Sequence, residues 1–318
     1  MRVLFNSTRP LGRCENITAV FEAFDGYKVF QRGGYIDVSG YEENVIVTDE
    51  FVKAKRPEQK IVMIAHGLTG GKLYGRDQPR GIFVQDPDSC SLVDYYVTSS
   101  EYGRKFAASA SGIPIERCLP LGMPRTDAYF GKHKGDGRTF LADYERAYLY
   151  VPTFRAHYDE PATLIDWCAI NDMLEDDEIM VVKRHMIVRS QLVNYQLEHV
   201  VEVDPVDPST RYLLDCDVIA TDFSSILFDG YVCGKPSVLT ATAKDGYLQS
   251  RGMYMDYPSE YGSRSVIPGG HERRFVQYLR SAYKTGMRKA ERECLEKTAG
   301  ACDGKSTARV VELVRGLL

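Results

Sequence analysis

Long apolar runs are missing from this chain: no stretch of its 318 residues approaches the length of a membrane span. The opening, Met1-Arg2-Val3-Leu4-Phe5-Asn6, is too short an apolar run for a signal peptide and reads as a first strand, so a cytoplasmic protein is expected. No CxxC pair occurs among the eight cysteines, which are scattered through apolar segments. A disulfide scaffold is not indicated, and most of the thiols are expected to be reduced and buried. HExxH and Cys/His-cluster spacings are absent, so neither a metal nor any other cofactor is expected. The GxSxG elbow of nucleophilic hydrolases is missing. So is the GxGxxG of dinucleotide folds, since Pro10-Leu11-Gly12-Arg13 follows the first strand instead. A formal net charge of −4 gives no global pull toward nucleic acid.

Short β-branched runs alternate with helical patterns along nearly the whole chain. Candidate strands are Val3–Phe5, Lys28–Gln31, Val45–Thr48, Ile61–Ala65, Tyr95–Thr98, Leu119–Leu121, Tyr148–Val151, Ile179–Lys183, Val200–Val203, Val218–Ala220 and Ser237–Leu239. Several are apolar throughout, as suits strands buried on both faces of a parallel sheet. Helical patterns such as Glu101–Ser109, Thr163–Met173 and Thr210–Leu214 fall between them. The alternation predicts a doubly wound α/β architecture. The polar, glycine-rich stretch Gly131–Arg138 reads as a linker, which divides the chain into two open α/β domains, 1–135 and 136–318.

Ligands of open α/β sheets bind beyond the carboxyl ends of the strands, so the residues after each strand carry the functional reading. After Ile61–Ala65 comes His66-Gly67-Leu68-Thr69-Gly70-Gly71-Lys72-Leu73. This turn fails the P-loop pattern, because His66 replaces the first glycine and Leu73 the magnesium-binding hydroxyl. Imidazole titrates near neutrality, so His66 is a candidate general base; the alternative is a turn residue satisfied by backbone. Arg155, after Pro152-Thr153-Phe154, can fork onto phosphate oxygens or pair on the surface with Asp159 or Glu160. Lys183-Arg184-His185 ends another strand, with Lys183 and His185 on one side and Arg184 opposite.

The densest signal is Asp215-Cys216-Asp217-Val218-Ile219-Ala220-Thr221-Asp222-Phe223-Ser224-Ser225, followed by Ile226-Leu227-Phe228-Asp229. It reads as a buried strand, a hydroxyl-bearing turn and the start of a helix. Ser224 and Ser225 would hold a phosphate beside free backbone N–H groups, or serve as an ordinary N-cap. Asp222 and Asp229 are the carboxylates nearby.

In this order, these segments resemble the CDP-glycerol glycerophosphotransferase family of teichoic-acid primases and polymerases. The resemblance covers about residues 60–270 and includes Gly122-Met123-Pro124-Arg125-Thr126-Asp127, Lys235-Pro236 and Arg251-Gly252-Met253-Tyr254-Met255-Asp256. It departs from the family's pattern after His66 and at Met186, where proline is usual. The resemblance implies a GT-B-like α/β fold of two Rossmann-like domains facing a cleft, the first on the acceptor side and the second binding the CDP donor. It implies transfer of a polyol phosphate, glycerol phosphate first, from a CDP-activated donor to a hydroxyl of a cell-wall, capsule or lipid-linked glycan acceptor, with release of CMP.

On that basis His66 is the expected general base and His185 the second catalytic histidine. Arg155, Lys183, Thr221, Asp222, Ser224, Ser225 and Asp229 are expected on the donor. Two alternatives stay open: a GT-B glycosyltransferase using a nucleotide sugar, and a catalytically silent binding module. Between Arg273 and Arg292 stand seven Lys or Arg and one acid, Glu291, with Phe275, Val276, Leu279, Ala282 and Tyr283 on one helical face. This is either a basic amphipathic helix meeting anionic lipid on the inner face of the membrane, or a helix docked on its own domain.

Overall fold

The computed structural model describes residues 2–13, 15–64, 67–68, 71–77, 87–153, 164–185, 197–241, 244–262 and 264–318. The chain divides into two compact units, one of Met1–Phe130 with Glu296–Leu318 and one of Gly131–Leu295. The division expected from the sequence, 1–135 and 136–318, differs at two places: residues 131–135 fall in the second unit, and residues 296–318 belong with the first.

The first unit contains β1 (Arg2–Ser7), α1 (Glu15–Ala23), β2 (Tyr27–Arg32), β3 (Val45–Thr48), β4 (Lys60–Ile64), α2 (Pro87–Ser91), β5 (Tyr95–Val97), α3 (Glu101–Ser111) and β6 (Cys118–Leu119). Its sheet is parallel, in the order β2-β1-β3-β4-β5-β6. The order reverses between β1 and β3, as in flavodoxin-like sheets. Every residue of β3 is buried, which is why Val45-Ile46-Val47-Thr48 reads as apolar throughout. Ser100 caps α3 by accepting from Gly103 N at 2.9 Å, and Gly112 ends it at φ 74°.

The second unit contains β7 (Arg146–Tyr150), α4 (Trp167–Asn171), β8 (Glu178–Val182), β9 (Val200–Glu202), α5 (Ser209–Asp215), β10 (Val218–Thr221), α6 (Ile226–Val232), β11 (Ser237–Leu239), α7 (Gly246–Arg251) and α8 (Glu272–Thr285). Its parallel sheet runs β11-β10-β7-β8-β9, which is the doubly wound order with its reversal between β7 and β10. Tyr148, Tyr150, Met180, Val182, Val218, Ala220 and Val238 form one core with Trp167 and Ile170 of α4 and Phe275, Val276, Leu279 and Ala282 of α8. The apolar stripe of α8 is therefore spent on its own domain, as the docked reading expects, while Tyr283 is 38% exposed. Two helices complete the chain: α9 (Lys289–Ala299), which crosses from the second unit into the first, and α10 (Ser306–Gly316). Among the described residues no helix is long and apolar enough to cross a membrane.

Two glycine positions explain how chain segments close on one another. A Cβ on Gly137 would stand 2.2 Å from Arg211 O and 2.7 Å from Asp215 Oδ2. The expected linker is thus bolted to the second unit. Asp215 accepts from Gly135 N (2.8 Å), Gly137 N (3.0 Å), Thr139 N (2.7 Å) and Thr139 Oγ1 (2.7 Å). Lys134 Nζ meets Asp217 Oδ2 at 2.6 Å. Gly122 has φ 84°, and a Cβ there would lie 2.4 Å from Ala301 O and 2.3 Å from Ser306 Oγ.

Candidate functional site

In each unit the reversal of strand order opens a crevice at the carboxyl ends of the two strands that flank it. In the second unit these strands are β7 and β10. Their extensions are tied together: Val151 N donates to Ala220 O at 2.9 Å, Thr221 Oγ1 to Val151 O at 2.5 Å, and Thr153 N to Asp222 Oδ1 at 2.9 Å. Thr221 and Asp222 are both fully buried. Their polar atoms hold Val151 and Thr153, the last described residues after β7. Arg155 itself lies outside the described residues, as do His66 and Met186.

Next to β7 on its other side, β8 delivers Lys183, Arg184 and His185. Lys183 N donates to Tyr150 O at 2.9 Å, and its buried ammonium reaches Pro205 O at 3.1 Å. Arg184 is 1% exposed and pairs with Glu202 of β9 at 2.7 Å. His185 is exposed. Of the three consecutive basic residues, Arg184 is thus engaged by an internal carboxylate, which leaves Lys183 and His185 as the candidates for an anion.

The turn after β10 presents Ser224, half-buried, and Ser225, exposed. Ser225 has φ −64° and ψ −15° and makes no side-chain capping bond. A residue already in helical dihedrals cannot fold its hydroxyl back over the first turn, so the ordinary N-cap reading does not describe Ser225. Phe223 anchors the turn from below, stacked on Tyr247 of α7 at 5.6 Å and edge-on to Tyr257 at 5.0 Å. Asp229 is 1% exposed within α6. Burial pushes the Cys233 thiol far up, and the Asp229 charge pushes it further.

Thr221, Asp222, Lys183 and the Ser224–Ser225 turn thus all lie at the carboxyl end of one sheet. Other quoted segments lie elsewhere and have structural work. Lys235 precedes β11 at the amino end of the sheet, where its ammonium meets Leu214 O at 3.2 Å. In the Gly122–Asp127 segment, the Asp127 carboxylate accepts from Ser306 N (3.0 Å) and Thr307 N (2.7 Å) at the start of α10. It answers the positive end of that helix and holds the returning C-terminal segment.

The first unit carries a parallel arrangement that sequence reasoning missed. Across its own reversal, Ser7 Oγ at the end of β1 donates to Asp49 Oδ2 just beyond β3 at 2.9 Å. Burial holds the Asp49 carboxyl above the usual carboxylate range. Burial and the neighbouring Asp49 do the same for Glu50. A signal existed: Val45-Ile46-Val47-Thr48-Asp49 nearly repeats Val218-Ile219-Ala220-Thr221-Asp222. Among the described residues no group of three or more His, Cys, Asp or Glu is placed to hold a metal ion.

The fold defines the class of protein. The solved structure of the wall teichoic acid polymerase TagF superposes with a TM-score of 0.75 over 99% of this chain and 88% of that one, at 18% identity. The architecture is accordingly a GT-B-like α/β fold of two Rossmann-like domains. A model of the CDP-Glycerol:Poly(glycerophosphate) glycerophosphotransferase family matches residues 34–316, and the chain belongs to that family. Among curated relatives it is similar to the teichoic acid poly(ribitol-phosphate) polymerase of Bacillus spizizenii, 29% identical over 64% of this chain and 35% of the polymerase. It is also similar to the teichoic acid ribitol-phosphate primase of the same organism, 25% identical over 84% of this chain and 72% of the primase. The chain thus spans about a third of the polymerase and nearly three quarters of the primase.

Proposed function

We propose that the chain transfers a polyol phosphate from a CDP-activated donor to a hydroxyl of a cell-wall, capsule or lipid-linked glycan acceptor. The acceptor oxygen attacks the phosphorus that bears the polyol, the pyrophosphate P–O bond breaks, and CMP leaves. One observation carries this reading: the family match runs over residues 34–316 and so takes in both Rossmann-like units. The polyol is glycerol, expected from the sequence and printed in the family's description, or ribitol, which both named relatives use.

Phosphoryl transfer needs positioning and charge stabilisation more than covalent help from the protein. His66 takes the proton of the acceptor hydroxyl. In the second unit, the donor-binding one, His185, Arg155 and Lys183 supply positive charge to the pyrophosphate, and Ser224 and Ser225 supply hydroxyl donors. Thr221 and Asp222 act by holding Val151–Thr153, the segment that leads to Arg155, with Asp229 supporting the helix behind the serine turn. No cofactor takes part. The protein works at the inner face of the membrane. Any contact there is made by the basic face that Arg273, Arg274 and Lys284 give α8, because its apolar face is in the core.

Product analysis tests the proposal. The chain is incubated with a glycan or lipid-linked acceptor and either CDP-glycerol, CDP-ribitol or a nucleotide sugar. CMP release with growth of the acceptor by one polyol phosphate is expected. A nucleoside diphosphate from a sugar donor would make it a glycosyltransferase, and no product from any donor would make it a silent module.

A further inference from the structure

Thr240 stands one residue beyond β11, and its amide donates to Thr221 O at 2.8 Å. The residue is 2% exposed, yet its hydroxyl oxygen has no hydrogen-bond partner among the described residues. Native folds seldom leave a buried hydroxyl unpaired without a reason. The register pairs Ala220 with Val238 and Thr221 with Leu239, which places Asp222 beside Thr240 at the next position. Alternate residues of a strand share a face, so Thr240 continues the row of Val238 and Asp222 that of Ala220. Val238 and Ala220 both belong to the apolar core beneath α8. In the row below, Val238, Ala220 and its neighbour Tyr150, the one polar side-chain atom is the Tyr150 hydroxyl, which makes no bond to Thr240; the missing partner lies past the strand ends, where ligands of such sheets bind.

The chemistry of the partner follows from the neighbour. A carboxylate beside the hydroxyl repels a phosphate oxygen and favours a group that donates as well as accepts. We infer that Thr240 is a binding residue for a hydroxyl of the CDP-polyol donor, supplied by the ribose or by the polyol. The inference rests on the transfer reading above and adds a residue to it.

Wild type, Thr240→Val and Thr240→Ser are compared by thermal unfolding and by calorimetric titration with CMP, CDP-glycerol and CDP-ribitol, with Thr240→Ala in reserve should valine prevent folding. Without ligand, Thr240→Val is at least as stable as wild type, because it removes an unpaired buried hydroxyl. It binds CDP-polyol about ten-fold more weakly, and Thr240→Ser stays within about two-fold of wild type. Weakened binding of CMP as well assigns the contact to the ribose; weakening confined to the CDP-polyols assigns it to the polyol. Equal affinity in wild type and Thr240→Val overturns the inference and leaves the transfer reading standing. So does a loss of stability in Thr240→Val that Thr240→Ser restores with affinity unchanged. A wild type that binds no cytidine nucleotide removes the transfer reading, and this inference with it.

Discussion

The Thr153 amide donates to the Asp222 carboxylate at 2.9 Å, from the segment after β7 to the residue after β10. Asp222 is fully buried, so the contact spans the reversal of strand order in a place closed to water. Asp222→Ala leaves the amide unpaired and should destabilise the protein by about 1–3 kcal/mol. Asp222→Asn keeps an oxygen for the amide and removes the charge. If Asp222 acts by positioning the segment after β7 that leads to Arg155, the asparagine variant keeps most of its kcat/KM for CDP-polyol and the alanine variant loses most of it. Equal losses in both variants would mean that the charge itself is needed at the donor.

The two histidines should fail in different ways. If His66 is the general base proposed above, His66→Ala lowers kcat by about two to four decades while donor affinity holds. His185→Ala weakens donor binding, read as a higher Kd for CDP-glycerol, along with turnover. Single-turnover rates and titration calorimetry on the same preparations separate the two. Undiminished turnover in His66→Ala ends its assignment, and unchanged affinity with full turnover in His185→Ala ends the other.

Charge on the pyrophosphate is assigned to side chains and hydroxyl donors, not to an ion. CMP release should therefore persist in millimolar EDTA with an unchanged initial rate. A rate abolished by the chelator and restored by a divalent cation would transfer that work to a metal and demote Arg155 and Lys183 to supporting contacts.

Much of the architecture was legible because strands buried on both faces leave an unbroken apolar run. Val45–Thr48 and Ser237–Leu239 coincide with the expected strands to the residue. Helix ends were less legible: Thr163–Met173 was expected, and the helix is Trp167–Asn171, capped by Asp166 accepting from Ala169 N at 3.0 Å. The return of residues 296–318 to the first unit was not legible at all. It depends on contacts such as Asp127 with Ser306, residues 179 positions apart, that no local pattern encodes. The site was half legible. The position of Lys183, Thr221, Asp222 and Ser224 follows from strand ends alone. That Glu202 engages Arg184, and that Asp49 matches Asp222, depends on which strands become neighbours.

At the opposite end of the second sheet, Asp215 offers a test by pH. Burial alone would raise its pKa, but the Thr139 hydroxyl and the amides of Thr139, Gly135 and Gly137 outweigh that and hold it below the usual carboxylate range. A group whose pKa is depressed on folding adds stability above its unfolded pKa, about 3.9, and loses it as pH falls through the folded value. Asp215→Asn should therefore be less stable than wild type by a constant amount from neutrality to about pH 4, and the deficit should shrink below that as the wild-type carboxylate takes up its proton. Urea unfolding at pH 7, 4.5 and 3 measures the difference. Gly137→Ala, whose methyl group would collide with Arg211 O and with Asp215 Oδ2, should be destabilised as well, and because its amide is one of the donors to Asp215 part of that deficit should shrink at low pH too. A deficit in Asp215→Asn that stays level down to pH 3 would mean that the four donors recognise the shape of the side chain and not its charge.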